Sequence, residues 1–192
     1  MTQTITYIYD DPSLAGQAVR ALEAAGFTSS EISIVRQDGE VEWTADRDDP
    51  VGDGATTGAS VGLAAGAGAG LLASLGMLAI PGIGPLVAAG VLATTLAGGA
   101  AGAVGGGIIG ALVDYGVSEE DAPVYAETLR RGGTLVSVRA DDARASEAEL
   151  IMQRFSPTDV GTRGQAYRDE GWTGYDPDAP MIDDADRRRY RA

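Results

Sequence analysis

The chain has 192 residues and a formal net charge of −14, and it contains no Cys, no His and no Lys. The negative charge argues strongly against nucleic-acid binding, because phosphate contacts need a basic surface. The missing residue types exclude disulfides, thiolate metal sites and catalysis by His, Cys or Lys. We therefore expect a non-enzymatic protein without a cofactor.

Residues 1–45 are predicted to form the first half of an α/β domain. Residues 4–9 alternate β-branched and aromatic side chains, which indicates a strand. The sequence Asp10-Asp11-Pro12 then predicts the start of an amphipathic helix that ends at Gly26. A second strand is expected at residues 31–36, followed by a turn and a short hairpin partner at residues 41–43.

Residues 46–54 are predicted to form an acidic linker. Their four aspartates superficially resemble a calcium-binding loop: Asp46, Asp48, Asp49 and Asp53. The EF-hand order of ligands, central glycine and closing glutamate is not met, so we expect a solvated linker and no metal.

Residues 55–113 carry no charge and contain two ladders in which glycine recurs every fourth residue. The ladders are Gly58, Gly62, Gly66 and Gly70, and Gly98, Gly102, Gly106 and Gly110. This spacing places each ladder on one helix face, and small residues at this spacing let two helices approach closely in lipid. We therefore predict a glycine-zipper α-helical hairpin. Its turn at residues 81–85 is formed by Pro81, Gly82, Gly84 and Pro85.

The location of this hairpin is open on the sequence alone. Each limb exceeds the roughly 20 residues needed to cross a bilayer. However, 32 of the 59 uncharged residues are Gly or Ala, and the larger aliphatic side chains concentrate near the turn. We favour insertion into lipid. The alternatives are a soluble oligomer whose hairpins pack together and a disordered low-complexity insert.

Residues 114–162 are predicted to form the second half of the α/β domain. A capping-box sequence from Ser118 to Asp121 should open a helix that ends at the glycine pair 132–133. A strand is expected at residues 134–139, a helix at 143–155 and a weak last strand at 159–162. The aspartate pairs before the two amphipathic helices are explained by capping without catalysis.

The two halves share a strand, an Asp-Asp pair and an amphipathic helix at similar spacing. Two such βαβ units predict an α+β fold of the ferredoxin-like kind, with two helices on one face of an antiparallel sheet. Chance similarity of two short segments is the alternative. Residues 163–192 are predicted to be a flexible tail in which Trp172 and Tyr175 dock either on the chain's own sheet or on a partner.

Three motifs together resemble the bacterial general stress protein (heat-induced stress protein) family. They are AIPGIGPLVAAG at residues 79–90, the helix-to-strand step at residues 125–136, and GWTGYDP at residues 171–177. The resemblance implies a stress-induced, non-enzymatic and membrane-associated protein. It supplies no catalytic residues.

The sequence thus predicts a membrane-associated stress-response protein that inserts its hairpin into the bilayer and self-associates as a homo-oligomer. The N-terminus lacks the features of a signal peptide, so the α/β domain is expected to face the cytoplasm from the inner membrane. A soluble, cytoplasmic homo-oligomer and a ferredoxin-like small-molecule sensor are the alternatives.

Overall fold

The structure is a computed structural model that describes residues 2–37, 76–80, 83–102, 107–179 and 182. These residues form an α+β fold, as predicted. The strands are β1 Thr2–Tyr9, β2 Ile32–Gln37, β3 Gly76–Ile80, β4 Gly84–Ala89 and β5 Thr134–Asp141. The helices are α1 Pro12–Ala24, α2 Val91–Gly102, α3 Gly107–Tyr115, α4 Ala122–Arg130, α5 Ala145–Gln153 and α6 Val160–Asp169.

All five strands belong to one antiparallel sheet, in the order β1-β5-β2-β4-β3. Because β1 and β2 both run antiparallel to β5, they are parallel to each other. They are joined by α1, so β1-α1-β2 is a split βαβ unit with β5 between its strands.

Helices cover both faces of this sheet. Val136 and Val138 of β5 face the core cluster that α1 and α5 complete. Leu135 of the same strand faces the opposite cluster, which α2, α3 and α4 complete. The period of two along a strand separates the clusters. The central strand β2 is buried at all six positions as a result.

The predicted start and end of the first helix are confirmed. The Asp11 side chain accepts a hydrogen bond from the Ser13 backbone N–H at 2.8 Å, and Pro12 occupies the first helical position. Gly26 follows the helix with φ +86°, a conformation that favours glycine. Helices α1 and α5 lie on the same face of the sheet.

Ser118 and Asp121 form only part of the predicted capping box, and they do so ahead of α4. Ser118 Oγ accepts from the backbone N–H of Asp121 at 3.1 Å and donates to its carboxylate at 2.7 Å. The helix proper begins at Ala122, and Gly132 ends it with φ +90°.

The predicted helical hairpin is wrong around its turn. The chain does reverse there, but the reversal joins two strands, β3 and β4, with Ile80 opposite Gly84. The fourfold glycine spacing had suggested helices. Short apolar runs flanked by glycine and proline are nevertheless also typical of strands, and residues 76–80 and 86–89 have that pattern.

The second limb is not one helix either. α2 ends at Gly102 and α3 begins at Gly107 with φ +46°, so two helices that pack together divide the second ladder. The sequence explains the division, because Gly105, Gly106 and Gly107 follow one another. Each glycine costs about 1 kcal/mol in a helix relative to alanine.

The largest correction concerns the apolar side chains of this limb, which were predicted to enter lipid. They lie instead in the core between the sheet and the helices α2, α3 and α4. Five of them, together with Ile83 of the predicted turn, are at most 3% exposed: Leu86, Leu92, Leu96, Ile108 and Leu112. The second half of the uncharged run is therefore a structural layer of the α/β domain.

The weak last strand and the start of the tail also need correction. Residues 160–169 form α6, and Asp159 accepts the Thr162 backbone N–H at 3.0 Å as its N-cap. β-branched residues near position 160 suggested a strand, but the aspartate cap favours a helix. Only Thr158 bridges to Ile8 of β1.

Several predictions lie outside the described residues. They concern the hairpin partner at 41–43, the linker at 46–54, and the glycines and prolines Gly58, Gly62, Gly66, Gly70, Gly106, Pro81 and Gly82.

Candidate functional site: the arginine–tyrosine cluster

Three of the predicted seam glycines lie in the described helices. Gly98 is exposed on α2 and Gly110 is partly buried on α3, and a Cβ built at either would meet no described atom within 4 Å. Gly102 is the last residue of α2. Of the turn residues, Gly84 and Pro85 pair with β3. At Gly98 and Gly110 the described part of the molecule contains no close helix approach.

A different glycine makes the close contact that sequence reasoning missed. Gly90, between β4 and α2, has φ +87°, and a Cβ there would lie 2.2 Å from the Ile32 carbonyl oxygen. The Ser33 hydroxyl next to it accepts the Leu92 backbone N–H at 3.1 Å. This contact fixes the start of α2 on the central strand.

Among the residues that the structure describes, a dense group of charged side chains surrounds Glu127 of α4, whose side chain is fully buried. Arg130 donates to its two carboxylate oxygens at 2.9 and 2.8 Å, and Arg131 donates at 2.7 Å. Three charge-assisted hydrogen bonds thus satisfy one buried carboxylate. The i, i+3 and i, i+4 spacing was the available sequence signal for this group.

Tyr167 of α6 packs onto this group. Thr128 donates its hydroxyl proton to the Val124 carbonyl at 2.8 Å, so Tyr167 is the donor in its 3.2 Å contact with Thr128. The Arg131 guanidinium lies 4.1 Å from the centre of the tyrosine ring, within cation–π distance. Burial raises the pKa of Tyr167, and Thr128, Arg163 and Arg131 oppose that rise.

Two ion pairs hold α6 from its ends. Arg131 pairs with Glu170 after the helix, and Arg163 pairs with Asp10 at the end of β1. Burial alone would lower the pKa of Arg131, but the hydrogen bonds that it donates to Glu127 and Glu170 outweigh burial, and the pKa is raised. We call Glu127, Arg130, Arg131, Tyr167 and Glu170 the arginine–tyrosine cluster.

The two tail aromatics contact the chain itself. The Trp172 ring lies edge-on to the Tyr167 ring, with ring centres 5.9 Å apart. The backbone N–H of Trp172 donates to the Tyr167 carbonyl at 2.9 Å. Tyr175 packs against the core cluster of α2, α3 and α4. Burial raises the pKa of Tyr175, and Arg130 opposes the rise.

The contacts of the arginine–tyrosine cluster are those of a structural attachment between parts of the chain. Its carboxylates are engaged by guanidinium groups, and its tyrosine proton is held by Thr128. The cluster joins α6 and the segment after it to α4. We therefore regard it as the element that attaches the C-terminal segment to the domain.

No family model matches the chain, and no curated protein or solved structure matches it. The resemblance to general stress proteins therefore stays a prediction. None of the helices in the described ranges combines the length and the apolar character that crossing a membrane would require.

Proposed function

We propose that this chain is a non-enzymatic, self-associating protein in which a three-layer α/β domain presents the first glycine ladder to a second copy. The observation that carries the proposal is the burial of Leu92, Leu96 and Leu112 in the domain core. Together with the division of the second ladder between α2 and α3, it means that the predicted pairing of two long limbs along one seam does not hold. A ladder on residues 58–70 then needs another surface to cover it.

The ends of the intervening segment constrain where that surface lies. Gln37 ends β2 and Gly76 begins β3, and these parallel strands are separated only by β4. Two strand spacings amount to about 10 Å. A single crossing of a bilayer would separate the two ends by about 30 Å of hydrocarbon. The described residues Gln37 and Gly76 therefore lie closer together than two positions on opposite sides of a bilayer would.

A second copy supplies the most suitable surface. Glycines at fourfold spacing let helix backbones approach closely, and the ladder of one copy matches the ladder of another. Each exposed glycine in an aqueous helix costs about 1 kcal/mol relative to alanine, so an uncovered ladder would be poorly stable. Together these points support a homo-oligomer.

Size-exclusion chromatography with light scattering tests this proposal in detergent-free buffer. The wild-type chain should elute as a discrete oligomer, and Gly62→Leu with Gly66→Leu should elute as a smaller species. Gly98→Leu is the matched control, because a Cβ built there meets no described atom within 4 Å and the change should leave the oligomer intact. A monomeric wild type, or an unchanged oligomer in the double variant, would contradict the proposal.

Membrane association in a stress response is the second candidate function. Its support is the absence of charge from residues 55–75, which suits entry into a bilayer from one side. Flotation with liposomes separates the candidates: lipid binding that Gly62→Leu and Gly66→Leu leave unchanged would favour this function over self-association.

We also infer that the core is a reduced ferredoxin-like fold. The unit β1-α1-β2 encloses β5, and the segment after α5 reaches the far side of β1 through the Thr158–Ile8 bridge. The second unit thus follows the expected path with its last strand shortened to one bridge. The β3–β4 hairpin extends the other edge.

A small-molecule sensor on this sheet is the remaining alternative. Ligand binding would raise the midpoint of thermal unfolding in a screen against a metabolite panel.

A further inference from the structure

The connection between α5 and α6 contains unfavourable backbone geometry. Ser156 has φ +50°, and it is the one non-glycine residue with a positive φ among the residues that the structure describes. Pro157 follows it, and the proline ring sterically disfavours helical conformations at the preceding residue. A serine in this conformation persists only because the packing on both sides of it is maintained.

The chain beyond this connection is held by a defined set of side-chain contacts. We call residues 158–179 the C-terminal strap. It is joined to α4 through the Tyr167–Thr128 hydrogen bond and the arginine–tyrosine cluster. It is joined to β1 through the Arg163–Asp10 ion pair and the Thr158–Ile8 bridge. We call the surface of α4 and β1 beneath the strap its seat. The strap and its seat therefore carry complementary charges.

The strap and its seat also fit each other in shape, because α6 and α4 approach closely. A Cβ built at Gly164 of the strap would lie 3.1 Å from Val124 Cγ2 on α4. The glycine thus lets α6 lie directly on α4, where Val124 is 3% exposed. The seat fits this strap closely, and a copy of the same strap fits it equally well.

We propose that the C-terminal strap exchanges between two copies of the chain, each strap docking on α4 and β1 of the other. Every contact of the closed form recurs in the exchanged form, whereas the conformation of Ser156 is required only when the chain turns back on itself. Fully extended, residues 154–159 span roughly 17 Å, which allows the strap to leave its own seat. Exchange of identical elements is a low-cost route to a dimer.

A charge-swap mixture tests this proposal with full-length chains. Asp10→Arg places two arginines at the closed contact, and Arg163→Asp places two aspartates there. Mixing the two variants restores both opposite-charge pairs only if straps exchange. Native mass spectrometry should then show the mixed dimer enriched at least about fivefold over the statistical ratio. Both variants carry the same glycine ladder, so association through the ladder would give the statistical ratio. The test therefore remains valid if the ladder proposal fails.

Engineered cysteines locate the exchange, because the native chain contains none. Val124→Cys in one chain and Gly164→Cys in another should form a cross-chain disulfide. The same two cysteines in one chain show that the contact exists and that the variant folds. Ser156→Gly, which relaxes the connection, should raise the dimer Kd by about fivefold or more. A statistical mixture of charge variants together with exclusively intrachain disulfides would overturn the proposal.

Discussion

The Tyr115 hydroxyl donates a hydrogen bond of 3.1 Å to the Ser33 hydroxyl oxygen and so joins the end of α3 to the centre of the sheet. The two residues are 82 positions apart in sequence. Ser33 also accepts the backbone N–H of Leu92 at 3.1 Å, at the start of α2. One buried serine on β2 therefore fixes both helices of the uncharged run against the sheet.

Replacing Ser33 with alanine should lower the free energy of unfolding by about 2–4 kcal/mol, because two buried donors lose their acceptor. Tyr115→Phe should cost about 0.5–1.5 kcal/mol, since Leu92 keeps its partner. Urea unfolding followed by circular dichroism measures both. Leu150→Ala, at a position 60% exposed, is the control and should change stability by less than about 0.5 kcal/mol. Equal effects of all three substitutions would contradict this role.

Gly90→Ala should be among the most destabilising single-methyl additions to this chain. The positive φ disfavours alanine, and the new Cβ would clash with the Ile32 carbonyl at 2.2 Å. We expect a loss of about 3 kcal/mol or more in thermal or urea unfolding. Gly98→Ala, in an exposed helical position, should instead stabilise by up to about 1 kcal/mol. Tolerance of Gly90→Ala would mean that α2 does not start where we describe it.

The buried charges of α4 predict a large asymmetry between two similar substitutions. Glu127→Gln removes the carboxylate that Arg130 and Arg131 share, so it should cost about 3–5 kcal/mol. Glu147→Gln breaks a half-exposed pair with Arg144 and should cost less than about 1 kcal/mol. Chemical denaturation of the two variants side by side measures the difference. Similar small losses would show that the arginine–tyrosine cluster does not secure α6.

Alkaline pH should destabilise the fold. Burial raises the pKa values of Tyr115, Tyr167 and Tyr175 above their usual value of 10. The folded state therefore binds these protons more tightly than the unfolded state, so their stabilising effect is complete below pH 10 and is lost as the pH rises. Urea midpoints should be flat from about pH 7 to 9 and fall above about pH 10. A Tyr115→Phe variant with an unchanged slope would remove this tyrosine from the explanation.

Local signals in the sequence predicted a substantial part of the fold. The caps Asp11 and Gly26 delimit α1, and alternating side chains identify β1 and β5, because these features act within a few residues. The burial of β2 on both faces was not predictable from its own six residues. It depends on helices that follow it by more than 50 positions.

The glycine ladders misled the prediction for a physical reason. A fourfold spacing is compatible with a helix face but does not require one, and the burial of Leu86 and Ile83 in the core favours strands near the turn. The arginine–tyrosine cluster was partly visible in the spacing of Glu127 and Arg131. Its partner Tyr167 could not be predicted, because the sequence suggested a flexible tail there.

Hydrogen–deuterium exchange of α2 and α3 tests the central claim that the second half of the uncharged run belongs to the domain core. In detergent-free buffer the amides of residues 91–102 and 107–115 should exchange as slowly as those of β5, and liposomes should leave them unchanged. Rapid exchange that slows only when lipid is added would contradict the claim and would restore a lipid-inserted limb.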